Sequence, residues 1–388
     1  MRLEDTAEQL RLRHELREYF ATFMPADELR AAGEGGAGGP RFREVTRRLG
    51  ADGWLGLGWP KEYGGRGLGQ RDQFVFFDEV QRAGVPFPFV TVNTIGPTLM
   101  KLGTAQQRQR YLPGILAGEI VFAVGYTEPS AGTDLAALHT RAVADGDEWV
   151  IDGSKVFTTG GNTADFIWLA VRTGATDSRH RGISMVIVPT DDPGYSWSPI
   201  RTVGGMSVTA TYFTGIRIGA DAFVGGVDGG WRVITEMLNH ERVGLAALGG
   251  RTLGLWQRVS DWARVEGLVD VPWVRADLAE SFARLDAMRL LNWRMTDLMA
   301  RGELDVADAS ATKVYGTEAH IAVQRILLRV LGARGRIRPD EPCAVLAGEL
   351  EQLSRQSVVN TFGGGVNDVL RDMVATTGYG LPRTPRRG

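Results

Sequence analysis

The hydrophobic period of the chain changes twice, and this removes most folds from consideration. From residue 1 to about 118, apolar residues recur at helical spacing, around Leu10, Leu16 and Phe20 and again through FVFFDEVQRAG and PTLMKLG. From about 119 to 229 short β-prone runs take over (EWVIDGSKVFTTG, ADFIWLAVRT, GISMVIVPT, ATYFTGIRI), separated by turn residues. After Gly229-Gly230 the helical period returns in long amphipathic segments and lasts almost to the end. The expected architecture is α+β in three parts: a helical domain over 1–118, a domain of short antiparallel strands over 119–229, and a bundle of about four helices over 230–388. Within the β-domain, Asp152-Gly153 reads as a hairpin turn. AAGEGGAGGP (31–40) and WPKEYGGRGLG (59–69) read as Gly-rich connections.

Composition narrows the function by exclusion. A formal charge of −2 gives no global electrostatic reason to bind nucleic acid or an anionic membrane. No apolar run reaches the length of a membrane span, and the first twenty residues form a charged amphipathic helix rather than a signal peptide, so a cytoplasmic protein is expected. Cys343 is the only cysteine, which excludes a disulfide framework or thiolate metal cluster. The five histidines are scattered without metal-ligand spacing, so no metal is expected. Gly65, Gly67 and Gly69 do not form a dinucleotide fingerprint, because no strand precedes them.

Three features carry possible chemistry. In VGYTEPSAGTD (124–134), hydroxyls at Thr127 and Thr133 bracket a Pro-Ser-Ala-Gly turn that exposes backbone N–H groups. Such a loop suits a flat heterocycle or a phosphate, and equally a plain structural turn. KVFTTGG (155–161) again joins an aromatic, Phe157, to hydroxyls and glycines, although a lone strand aromatic is more often core. In the helix beginning near Trp231, apolar residues at Ile234, Met237, Leu238, Leu245 and Leu248 form a stripe, and Glu241 falls within it. A carboxylate there is desolvated, its pKa rises, and it suits proton transfer near neutral pH; a buried structural ion pair is the other reading.

Taken together these segments resemble the acyl-CoA dehydrogenase family over nearly the whole chain. GYTEPSAGTD resembles the family's TEPxAGSD flavin signature and GSKVFTTGG its GxKxWITNG stretch. WLGLGWPKEYGGRGLG, RYLPGILAGEIVFAVG, FTGIRIGADAFVG, GGWRVI and GYGLPR follow family patterns in the same order. The resemblance implies an N-terminal helical domain, a central antiparallel β-barrel and a C-terminal four-helix bundle. It implies FAD bound through Val124, Tyr126, Thr127, Gly132 and Thr133 on one side and Phe157 and Thr159 on the other. Arg329 and Gly332 stand in the segment that completes the cofactor site of a neighbouring subunit, and Asp368 is a further implied cofactor-binding residue. ARVEGLVD (263–270) lacks the arginine that often reaches the cofactor across the dimer.

The family removes an α-proton from an acyl thioester with a carboxylate while hydride passes to the flavin. In many members that base is the Glu of a YEGTS segment. NTFGGGVND (360–368) aligns there with Gly364 in the Glu position, which leaves only a backbone N–H for the thioester carbonyl. Other branches place the base on the pocket-lining helix, and Glu241-Arg242 matches that pattern, with Asn239 and Arg242 as substrate contacts. The implied partners are acyl-CoA or acyl-carrier-protein thioesters, an electron-transfer flavoprotein as acceptor, and further subunits in a homo- or hetero-oligomer (a dimer or tetramer). Two alternatives remain: a catalytically incomplete subunit of a heterotetramer, and a flavin oxidase or monooxygenase on the same fold. Gly244, Gly249 and Gly250 point to a roomy pocket for a branched, cyclic or steroid-like acyl group, or to close helix packing.

Overall fold

The computed structural model describes residues 4–25, 40–246, 249–339 and 341–382; the side chains at 40, 176, 207, 239–246 and 249 lie outside that description. The Gly-rich segment over 31–39 lies outside it as well. The N-terminal helices are α1 (Ala7–Phe23), α2 (Pro40–Ala51), α3 (Gln70–Arg82), α4 (Gly96–Leu102) and α5 (Ala105–Leu116). Thr6 and Thr104 start α1 and α5 by the same device. Each hydroxyl accepts from the N–H three residues on, and the Gln there (Gln9, Gln107) reaches back to the threonine N–H. Arg13, nearly buried on α1, locks that helix to α3 through Asp78 at 2.6 Å and Glu79 at 2.7 Å.

The strands are β1 (Phe122–Gly125), β2 (Arg141–Asp145), β3 (Glu148–Thr159), β4 (Phe166–Arg172), β5 (Ile183–Pro189), β6 (Tyr195–Arg201), β7 (Ser207–Ile218) and β8 (Phe223–Val224). They pair in the order β6-β7-β3-β2-β4-β5-β8, with β1 also on β4. Two expectations change here. The pairing is an open path among the described residues rather than a closed barrel, and β4 pairs in parallel with both β1 and β2. The Asp152-Gly153 hairpin is also absent: β3 runs through both residues, and the turn into it falls at Gly146 instead. Gly153 marks a register shift, where a Cβ would lie 2.6 Å from the Thr140 hydroxyl, so the glycine serves close approach within the sheet.

FIWLAV reads as a continuous apolar run because both faces of β4 are covered. Ile167, Leu169 and Val171 face a core within the β-domain with Phe213 and Ile216, while Trp168 and Ala170 face the N-terminal helices. Val233, Ile234 and Met237 of α6 (Gly230–Ala246) join that second core, so α6 is anchored against the sheet. The remaining helices are α7 (Gly249–Val265), α8 (Pro272–Arg301), α9 (Val306–Leu331), α10 (Glu349–Gln356) and α11 (Asn367–Met373), and α7 to α10 share a third core. No helix among the described residues is long and apolar enough to cross a membrane.

One polar group in the bundle makes stability depend on pH. His320 on α9 is buried against the Thr252 hydroxyl of α7, and burial, aided by Arg251, pushes its pKa down to about 4. The unfolded chain therefore takes up this proton before the folded one as pH falls. The stability His320 contributes is complete above about pH 6.5 and is lost toward pH 4, amounting to roughly 3 kcal/mol. Thermal unfolding across that window should show this slope, and His320→Gln should flatten it. Parallel profiles for the two proteins would contradict the assignment.

Candidate active site

The two motif loops are joined by a buried ion pair. Glu128 and Lys155 are 5% and 1% exposed, and Lys155 Nζ donates to Glu128 Oε1 at 2.8 Å. The same carboxylate accepts the backbone N–H of Thr140 at 2.8 Å and of His139 at 2.6 Å, while Nζ also donates to the Tyr126 carbonyl at 3.2 Å. The Val156 N–H donates to the Thr127 carbonyl at 2.8 Å. Burial pulls the Lys155 pKa down to about 8, against the attraction of Glu128. Burial acts to raise Glu128, but the Lys155 charge and the Thr140 hydrogen bond overcome it and hold the carboxyl below its usual range. Neither Glu128 nor Lys155 stands out in the sequence beside the hydroxyls and glycines of the two motifs; the signal is one acid in the first and one base in the second.

Beyond Lys155 the register of β3 on β7 shifts again, and Phe157 sits in the bulge at φ +61°. A non-glycine residue there is strained by about 1–3 kcal/mol. Buried Lys155 and Thr158 on either side hold the strain in place, the Thr158 carbonyl accepting from the Thr209 hydroxyl at 2.8 Å. The result departs from the ordinary fate of a strand aromatic: Phe157 is 61% exposed. Thr159, Thr133 and Gly132 are exposed beside half-buried Tyr126, Thr127 and Val124. A Cβ on Gly132 would meet nothing closer than Thr127 at 4.0 Å. An aromatic face, nearby hydroxyls and open backbone fit a planar, heteroatom-rich ring system such as a flavin.

The first loop also touches α6. The Tyr126 hydroxyl lies 3.1 Å from Met237 Sδ. Glu241 follows Met237 by one helical turn, so the two positions share a face of α6. The side chains of Asn239, Glu241 and Arg242 lie outside the described residues.

Helix α9 packs against both α6 and α11, and the glycine turn (363–365) lies just before α11. Gly364 and Gly365 have φ of +64° and +111°, which suits glycine alone among residues without strain. Gly363 donates to the Val359 carbonyl at 2.7 Å, whereas among the described residues the Gly364 N–H has no hydrogen-bond partner. Asp368 is exposed on the first turn of α11, 3.7 Å from Arg371.

Arg329, expected to reach the cofactor of a neighbouring subunit, is 60% exposed at its side chain and pairs within its own chain. Its Nε donates to Asp277 at 2.7 Å and its Nη2 to the other carboxylate oxygen. Arg334 likewise pairs with Glu266 at 3.1 Å. Gly332 ends α9 at φ +61°.

Comparisons with known proteins agree with this layout. The chain matches the N-terminal, middle and C-terminal domains of acyl-CoA dehydrogenases over residues 6–119, 123–216 and 228–378. It is 46% identical over 393 residues to "Acyl-CoA dehydrogenase FadE29" of Mycobacterium tuberculosis, covering 100% of both chains. Among solved structures it resembles "Tcur3481-Tcur3483 steroid ACAD" at 65% identity and TM-score 0.96, covering 99% of this chain and 100% of that one. It also resembles the ChsE4-ChsE5 complex from Mycobacterium tuberculosis at 43% identity and TM-score 0.91, covering 99% and 100%.

Proposed function

The chain belongs to the acyl-CoA dehydrogenase family of FAD-dependent oxidoreductases, and from that premise we propose that it introduces an α,β double bond into an acyl thioester of the steroid class, with Glu241 as the base. The contact of Tyr126 with Met237 carries this reading, because it sets the candidate flavin loop against the helix face on which Glu241 lies. The steroid class is supported by the 65% identity to a structure described as a steroid ACAD; Gly250 serves close helix packing instead, since a Cβ there would lie 2.6 Å from the Asp78 carbonyl of α3.

Tyr126, Thr127, Gly132 and Thr133 would hold FAD with Phe157 and Thr159, and FAD when bound supplies the acceptor for the β-hydride. Arg329 and Gly332 would complete the cofactor site of a neighbouring subunit, a reading that the exposure of Arg329 beside Asp277 leaves open. The chain itself does the rest. The Glu241 carboxylate takes the α-proton. The Gly364 N–H donates to the thioester carbonyl oxygen as negative charge develops there. Asn239 and Arg242 hold the thioester arm. CoA is the carrier, an electron-transfer flavoprotein receives the electrons, and a sister chain of the same family completes the assembly, a reading supported by the two-component names of the structural neighbours.

The test is to purify the chain alone and with a co-expressed sister chain, then add straight-chain, branched and steroid-side-chain acyl-CoA thioesters. Flavin absorbance is expected to bleach most with the steroid thioesters. A flavin-loaded complex that bleaches only with straight-chain thioesters contradicts the substrate class. A complex that still bleaches when the base is supplied only by the sister chain would make this chain the catalytically incomplete subunit.

A further inference from the structure

The conformation of the glycine turn must be set from outside it, because residues 363–365 carry no side chains and two of them sit at positive φ. The group that reaches the turn is Lys313. It lies on α9 with 0% exposure, and its Nζ donates to the Gly365 carbonyl at 2.7 Å and to Asn367 Oδ1 at 2.8 Å. Asn367 is held in turn: its Nδ2 donates to Thr317 Oγ1 and to Glu318 Oε1, each at 3.1 Å. Thr317 donates to the Lys313 carbonyl at 2.9 Å, and Arg371 on α11 closes on Glu318 at 2.7 Å. The turn is thus fastened to one helix at its downstream edge by an ammonium and an amide.

A fully buried ammonium is expensive, and a hydrocarbon of the same length fills the volume without that cost. What a hydrocarbon cannot do is hold a carbonyl. We propose that Lys313 is a positioning residue: by fixing the Gly365 carbonyl it fixes the peptide planes of the turn and so aims the unpartnered Gly364 N–H at the thioester carbonyl. Lys313 touches no reacting atom. The inference rests on the role given above to Gly364, and it names the group that gives a side-chain-free turn a defined geometry.

The experiment uses the FAD-loaded chain in its assembly, with Lys313→Met and Lys313→Gln. Met keeps the volume without a donor; Gln keeps an N–H. Two quantities are read: hydrogen–deuterium exchange of fragments covering 358–370, and the flavin bleaching rate over a range of the acyl-CoA that bleaches the wild type best. In Lys313→Met, turn exchange should rise about tenfold, and the saturating bleaching rate should fall by about tenfold to a hundredfold, as misplacement of a reacting group does. The half-saturating thioester concentration and the FAD content should stay as in the wild type. Lys313→Gln should lie between, and if Lys313→Met does not fold, Lys313→Gln against wild type carries the same comparison. Unchanged turn exchange, or loss of FAD together with faster exchange throughout the bundle, overturns the proposal. A wild type that no thioester bleaches overturns the reading of the site, and the aim of the turn with it. An active wild type with indifferent variants overturns Lys313 alone.

Discussion

Glu241→Gln should leave the protein yellow and folded but slow bleaching by its thioester substrate by at least about a hundredfold, the loss expected when a positioned general base is removed. Gln keeps the size and the hydrogen-bonding carbonyl of Glu but cannot take a proton at any working pH. FAD binding should not move, because the contacts assigned to FAD lie on the 126–133 loop and the β3 bulge. The measurement is stopped-flow absorbance after mixing with thioester, beside the FAD content of the purified variant. Bleaching at the wild-type rate would remove Glu241 from the mechanism. Gly364 would then be an abandoned base position, and the incomplete-subunit reading would gain what the dehydrogenase reading lost.

Gly364→Ala separates the two halves of the same chemistry. At φ +64° an alanine is strained by about 1–2 kcal/mol, so the turn shifts and its N–H moves while the carboxylate on α6 is untouched. That Gly364 lacks a side chain was plain in the sequence. That its N–H has no hydrogen-bond partner among the described residues, and that Lys313 fixes the neighbouring carbonyl, was not. Lys313 lies 52 residues from Gly365 in the chain, and ATKVYGTEAH reads simply as a helix segment with one lysine.

The same division runs through the fold. The first helix was legible from the spacing of Leu16 and Phe20, both buried, whereas its start, capped by Thr6 and Gln9, formed no part of that signal. The apolar stripe of α6 was legible through Ile234 and Met237 because helical period maps directly onto burial. The hairpin at Asp152-Gly153 misled because a turn dipeptide and a strand bulge ask the same thing of glycine. Only the distant neighbour Thr140, pressed against the missing Cβ, distinguishes them. The exposure of Phe157 has the same origin, since the bulge that turns it outward is set by the pairing of β3 with β7. Arg329 is a different case: within its own chain it pairs with Asp277 on the preceding helix, α8, and it stays exposed, while the phosphate assigned to it belongs to a neighbouring subunit.

Lys155→Met should be the most destabilising substitution in the candidate site, at about 3–5 kcal/mol, because it strands the Glu128 carboxylate in a buried position. Glu128→Gln should be milder, since an amide oxygen can still accept from Lys155 and from the Thr140 N–H. The double variant should recover much of the loss, as replacing both members of a buried pair avoids an uncompensated charge. Thermal unfolding of all four proteins gives the coupling energy directly, and flavin absorbance after gel filtration reports the consequence for the site. Lys155 ties the Tyr126 carbonyl and Glu128 to the strand whose next residues form the Phe157 bulge. Its loss leaves the two segments joined by the Val156 N–H to Thr127 carbonyl bond without the buried pair, and flavin should dissociate from the single Lys155→Met variant more readily than from the wild type at temperatures where the fold survives. A Lys155→Met protein as stable and as yellow as the wild type would show that the bulge is held by the β3–β7 pairing alone. The buried pair would then be a structural remnant rather than the clamp that brings the two loops onto one cofactor.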